Sequence, residues 1–358
     1  MIFLLLGSVI VLVTLREVFQ AVLVPRGKAH TFRLLPLLLQ KFFWPVFLFV
    51  ASTVPSRIWR ADLLGLFGPL GFVVLLLIWV SFLILGLGLI LLAFPSEMTP
   101  PITSLSTALY VAGSSVLTLG CADYSGKTTI VRFLILAAAF TGLIITASVI
   151  SLLFTLIGSL QRREVLVSIL SKIAGSPPSG ISILETYGEH GTGDALHDFY
   201  RDWYLWCADV LGSHRAYPAL AYFRSTDADT SWLTALGAVL DSAALLLSTN
   251  SGQPYLSAKL TLESGKGLVD ELATAWALKT SEAPDISDEE FDRAYQRLKK
   301  AGYSTAIDHE AKETFRRLRS QYTDTHRALC KYLAVPSTPF LSDYRLPIIA
   351  SPQEQETQ

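Results

Sequence analysis

Two long runs of the chain contain no charged residue. Gly71–Phe94 reads GFVVLLLIWVSFLILGLGLILLAF, and Phe133–Leu160 reads FLILAAAFTGLIITASVISLLFTLIGSL. A helix needs about 20 apolar residues to cross roughly 30 Å of hydrocarbon, so each run predicts a membrane-spanning helix with some tilt. Gly65, Gly68, Pro69 and Gly71 mark the entrance of the first; Arg132 and the Arg162-Arg163 pair bracket the second. Ile2 to Val24 is apolar until Arg16 and Glu17. It has neither the leading basic region nor the small-residue cleavage site of a signal peptide, and is expected to be an uncleaved helix. Its two charges then lie near one membrane face or turn towards protein. Leu34 to Ser52 (LLPLLLQKFFWPVFLFVAS) is hydrophobic too. Lys41, Pro36, Pro45 and a Trp44 set among phenylalanines make it read as an amphipathic segment lying in the interface rather than a span.

Charge orients these elements. Arg26, Lys28, Arg33, Lys41, Arg57 and Arg60 occupy a stretch with no acidic residue, which the positive-inside rule assigns to the cytoplasm. By parity the N-terminus is outside and the Gly71–Phe94 helix runs outward. The Phe133–Leu160 helix returns inward to Arg162 and Arg163. Residues 95–128 therefore start and finish on the outer face. They are unusual for a loop, with no charge from Ile102 to Ala122. Thr103 or Ser104 is placed to cap a helix of about three turns ending near Ser115. A short apolar helix between two spans reads as re-entrant, and the irregular backbone after it must be buried in protein or line an aqueous cavity.

That backbone is SVLTLGCADY, residues 115–124. An outer helix, a tilted short helix, a Thr-x-Gly-x-Gly-Asp segment and an inner helix resemble the pore module of the potassium-channel superfamily, over about residues 63–160. In that family four subunits aim backbone carbonyls at a common axis to replace the hydration shell of the ion. The resemblance implies that Thr118 is the filter threonine, Leu119 its aliphatic neighbour and Gly120 the first filter glycine, with K⁺ held at Thr118, Leu119 and Gly120. Cys121 stands where an aromatic residue or Leu is usual, and Ala122 where the second glycine is usual. Asp123 corresponds to the acidic residue of the outer mouth, and Gly142 to an inner-helix hinge glycine. Ala122 lacks the freedom glycine has in left-handed backbone, at about 1 kcal/mol, and Cys121 lacks a buttressing ring. The implied permeant ions are monovalent cations, with K⁺ selectivity weakened so that Na⁺ is admitted, or with poor conduction.

Composition sharpens the division of the chain. Of 358 residues 51% are hydrophobic and 16% charged, below the quarter usual for soluble domains. The charges concentrate beyond about residue 160, which predicts a membrane domain followed by a water-soluble one. A net charge of −1 gives no global basic field for nucleic acid. Cys121, Cys207 and Cys330 lie far apart and suggest neither a disulfide framework nor a zinc site. Ser125-Gly126-Lys127-Thr128 lacks the leading glycine of a phosphate loop, because position 121 is Cys. His309-Glu310-Ala311-Lys312-Glu313 has Glu where a zinc-protease helix needs its second His. Gly188 to Gly193 follows no strand and reads as linker.

In the soluble half the inner helix is expected to continue as QRREVLVSILSKIAG and to stop at Gly175-Ser176-Pro177-Pro178, with Val165, Ile169 and Ile173 on one stripe. Asp194–Leu211, with apolar residues at three- and four-residue spacing, predicts an amphipathic helix. Pro218 interrupts the next segment, and Trp232–Leu247, Leu256–Leu278, a helix capped by Ser287 and Glu290, and His309–Leu333 follow. His197, Asp198, Asp202, Asp209, Asp241 and His214 share the first helices; the expected reading is a solvated face over a Trp203–Trp206 core. The fold class expected is all-α. An N-terminal helix and basic interfacial segment (1–62) precede the pore module (63–160), a linker (161–180), a cytoplasmic domain of five or six helices (181–340) and an extended tail (341–358). The expected function is a homotetrameric cation channel of the bacterial inner membrane, gated by its inner helix and regulated by its cytoplasmic domain. No catalytic residue and no cofactor are expected. One rival is a non-conducting relative acting as a membrane sensor or scaffold; the other is a membrane-bound enzyme, for which no catalytic motif is complete.

Overall fold

In the computed structural model the described residues are 1–22, 39–120, 123–189, 193–225, 230–249, 255–281, 286–303 and 309–342. They form two compact units. The first comprises Met1–Val54, Leu63–Gly158 and Arg215–Ala219; the rest of the described chain makes up the second. The protein is an all-α membrane protein, with one two-stranded ribbon among the described residues.

The first unit is built from five helices. Helix α1 (Ile2–Val22) is about 31 Å long, the thickness of a hydrocarbon core. A short π-helical turn, Leu39–Phe43, leads into α2 (Trp44–Ser52). Helix α3 spans Arg57–Leu92 and α4 spans Leu105–Val116; α5 runs from Thr129 to Ala174. By length and composition α1, α3 and α5 can each cross a membrane.

Three expectations change here. Helix α3 starts at Arg57 and runs through Pro69, so the glycines and proline at 65–71 are not its entrance. Pro69 cannot donate to the carbonyl one turn back, a loss that membrane helices tolerate where other groups re-satisfy the backbone. The described part of the interfacial segment, Leu39–Ser52, is helical and too short to span. It is also not amphipathic in the expected sense. Trp44 and Phe47 pack edge-on to Phe67 of α3, while Phe42, Val46 and Phe49 on the other side are exposed. Both faces are apolar, and one of them is covered by protein. Glu17 is buried and Arg16 exposed, so only the acid turns towards protein.

Glycine sets the contact of α1 with α3. A Cβ on Gly7 would lie 2.5 Å from the Gly86 carbonyl oxygen, and one on Gly86 3.0 Å from that of Gly7. Small residues that let backbones meet are how helices associate where lipid removes the hydrophobic driving force. The opposite flank of α3 receives α4, with Gly88 against Leu109.

The second unit takes the end of α5 into its core: Val167, Leu170 and Ala174 are buried there. Residues 161–174 are therefore part of this unit and not a linker, and α5 stops before Gly175 as expected. Then come α6 (Gly180–Glu189), α7 (Gly193–Ala216), α8 (Trp232–Thr249), α9 (Leu256–Ala275), α10 (Asp288–Lys300), α11 (His309–Ser320) and α12 (Thr323–Tyr332). Helix α8 is apolar enough to cross a membrane, yet 89% of its most hydrophobic window is buried by protein. It is the core helix, packed by α6, α9, α11 and α12. The capping box at Ser287 and Glu290 is formed with both bonds present.

The expected single helix His309–Leu333 is broken at Gln321-Tyr322, which makes seven helices after α5 among the described residues. Residues at the break meet a buried carboxyl group. Arg319 Nε donates to Asp241 Oδ1 at 3.0 Å, and the Tyr322 hydroxyl donates to the same oxygen.

Candidate functional site

Residues 95–128 of the first unit leave α3 and come back to α5 at one place. Met98–Thr99 (β1) pairs antiparallel with Ser125–Gly126 (β2), with Met98 opposite Gly126. The Lys127 N–H donates to the Glu97 carbonyl at 2.8 Å, and Arg132 Nε to the Gly126 carbonyl at 2.8 Å. The ribbon staples both ends of the excursion, with Met98 and Ile102 buried beneath it. Helix α4 lies between the staple and the segment that resembles a filter. Its N-cap is Ser104, whose hydroxyl accepts from the Thr107 N–H at 3.2 Å. At 12 residues, about 18 Å, it cannot cross a bilayer. Ala108, Val111, Ala112, Ser115 and Val116 are its buried face.

Helix α4 ends in a Schellman arrangement. The Thr118 N–H donates to Ser115 O at 3.0 Å, and the Leu119 N–H to Ser114 O at 2.9 Å. This motif puts its last residue in the left-handed region, where glycine is usual; here it is Thr118, at φ 55°. A β-branched side chain there is an outlier, costing about 1–2 kcal/mol. Its hydroxyl donates to the Leu117 carbonyl at 2.8 Å. Gly120 follows at φ 77° with open space where a Cβ would stand, so the position favours glycine for its backbone angle and not for room. Left-handed angles thus alternate at 118 and 120. Thr118, Leu119, Gly120 and Asp123 are all exposed, Leu119 to 75%. Cys121 and Ala122 lie outside the described residues.

Gly142 lies inside the continuous α5, where a Cβ would fall 1.9 Å from the Val116 carbonyl oxygen. The residue is a close-approach point at which α5 meets the last turn of α4, two positions before Thr118. Close packing against Val116 is a reason for glycine at this position that sequence spacing does not reveal. Behind that contact is a small apolar cavity lined by Leu87, Ile90, Ala112, Ser115, Leu134 and Ala138.

The charge pair that closes the second run divides its labour within the second unit. Arg162 is exposed and pairs with Asp209 at 3.3 Å. Arg163 is buried: its guanidinium donates to the carbonyls of Leu220 (3.1 Å) and Phe223 (2.6 Å) and to Glu164, and lies 5.3 Å from the centre of the Trp232 ring. Its own carbonyl accepts from Trp206 Nε1 at 2.9 Å. Burial lowers the Arg163 pKa. Sequence reasoning counted this residue only as a topology charge; the neighbouring Trp203 and Trp206 were the one local sign that protein waits there.

The polar residues of α7 and α8 go to separate partners. Asp198 and Asp202 pair with Arg201, and His197 bonds Ser257. Asp241 is engaged by Arg319 and Tyr322, and His214 Nδ1 donates to Val210 O at 2.8 Å. Among the described residues no group of His, Cys, Asp and Glu is placed to hold a metal ion. His309 and Glu313 meet at 3.5 Å on the exposed face of α11.

No family model matches the chain, and no solved structure matches it. A curated protein of Bacillus subtilis (strain 168), described as the uncharacterized membrane protein YdjJ, is 27% identical over 243 residues, covering 64% of this chain and 68% of the relative. With the apolar helices α1, α3 and α5, this similarity places the chain in a membrane.

Proposed function

We propose that the chain is a subunit of a homotetrameric cation channel whose filter is residues 118–122, in the inner membrane of a bacterium with its second unit in the cytoplasm. One observation carries this reading. A helix too short to span is stapled at both ends of its excursion and ends in alternating left-handed backbone at Thr118 and Gly120. Thr118, Leu119 and Gly120 are exposed in the single chain, as they would be if other copies completed their surroundings. One re-entrant loop cannot enclose an axis, so the filter requires several chains. Helix α5 supports the same reading. Thr141, Ser148, Ser151 and Thr155 fall on one stripe at 100° per residue, between the buried face (Ala138, Gly142, Ile145, Val149) and an exposed face of Phe140, Leu143, Ile150 and Phe154. Hydroxyls suit a watery lumen, and large apolar groups suit lipid.

The test is ion flux from liposomes containing the full chain, with K⁺ and then Na⁺ as permeant ion, beside a Cys121→Tyr, Ala122→Gly double variant. Flux in the parent with sharper K⁺ preference in the variant supports a working filter altered at its outer end. The departures at 121 and 122 favour the second reading, a non-conducting sensor, to the extent that only the variant conducts. No flux in either overturns the channel proposal.

A further inference from the structure

Beyond the pore, one face of the second unit is apolar and unpartnered. The contacts Arg162–Asp209 and Trp206–Arg163 set the end of α5 antiparallel to α7. Val165 and Ile169 follow Arg162 on α5, and Leu205 lies one turn before Asp209 on α7, so all three fall on the same side of this helix pair. They are 55%, 48% and 56% exposed, although apolar side chains at helical spacing normally face a core. The two helices of the face differ in sign. Arg162 and Lys172 are exposed along α5; Asp198, Asp202 and Asp209 line α7 beside Arg201. These exposed intrachain pairs are individually weak and can be exchanged for others at little cost.

We propose that this α5–α7 face is the contact between the second units of neighbouring copies of the chain. The inference rests on the tetrameric channel reading. An apolar strip with a basic edge and an acidic edge is self-complementary head to tail: the basic side of one copy meets the acidic side of the next. Contacts of this heterologous kind close into rings. Chains already held by a shared pore would present these faces to one another at high effective concentration, so a modest patch suffices. The second units then form a collar of their own, and a force or ligand acting on one is felt by all four.

The test introduces the photo-crosslinker p-benzoylphenylalanine at Val165 and, in a second sample, at Leu205 of the full chain in lipid nanodiscs. Glu310, exposed on α11, is the control position. The mass of the assembly is measured on each sample before illumination. The expected result is a tetramer whose chains become covalently joined from positions 165 and 205, exceeding the 310 control by roughly tenfold. A tetramer that yields no intermolecular product from either position overturns this contact and leaves the channel reading standing. A monomeric parent overturns both. Having two crosslinking positions on different helices keeps a folding defect in one from deciding the outcome.

Discussion

Gly142→Ala gives a test in which the sign of the effect decides. Placed in a continuous helix with nothing against it, alanine is favoured over glycine by up to about 1 kcal/mol, because it removes backbone freedom from the unfolded chain. In this structure the added Cβ would stand 1.9 Å from the Val116 carbonyl oxygen, and that distance must open to at least 3.0 Å. The obstacle is backbone, which cannot rotate aside as a side chain could. Forced separation of packed elements costs about 1–3 kcal/mol, so the balance is a net loss of roughly 1–2 kcal/mol. The shift also falls on the last residue of α4, directly before the Thr118 and Gly120 carbonyls, so ion flux should drop with stability. The assay is denaturant unfolding of the full chain in detergent, paired with liposome flux of the same preparation. A variant that is more stable than the parent and conducts equally well would refute the packing role.

Other outcomes are expected elsewhere in the molecule. Thr118→Gly should relieve the left-handed strain and raise stability by about 1 kcal/mol, while loss of the hydroxyl degrades K⁺ over Na⁺ discrimination in flux assays. Glu185→Gln leaves Arg297, only 17% exposed, without its bidentate partner and should cost about 3 kcal/mol in denaturant unfolding. Acid should loosen the second unit through His214, whose pKa burial pushes down from 6.5 to about 3. The unfolded chain takes up a proton as pH falls below 6.5 and the folded one does not, so stability is complete above 6.5 and is lost towards 3. Unfolding followed at pH 7 and pH 5 should differ by about 2 kcal/mol from this group, and His214→Phe should flatten the slope. Cys207 and Cys330 are buried with thiol pKa values pushed up to about 12; in a Cys121→Ser background they should resist maleimide at neutral pH until the chain is unfolded.

Much of this protein is local enough to be read from its residues in order. Uncharged runs of about 20 residues must be helices, because lipid cannot satisfy a bare backbone, and so α1, the later part of α3 and the first 30 residues of α5 were legible. Caps depend on neighbours three positions apart, so Ser104 and the Ser287–Glu290 box were legible as well. The amphipathic spacing of α7 assigned Trp203 and Trp206 to a core. That a short capped helix lies between two long apolar ones was legible in the same way.

What tertiary structure alone decided depends on partners far away in the chain. Pro69 looks like a boundary, yet α3 runs through it. Gly142 has the same letter whether it bends α5 or lets α4 approach; only Val116 beside it distinguishes them. Arg163 reads as a headgroup charge, but Leu220, Phe223 and Trp232, some 60 residues later, turn it into a buried anchor. The periodicity of 309–333 runs on across the break at Gln321-Tyr322, and nothing within the segment shows that Arg319 and Tyr322 both meet Asp241, far upstream. Sequence determined the elements through short-range hydrogen bonding and solvent preference; packing determined the roles of the individual residues, because a role is set by what ends up within a few ångströms.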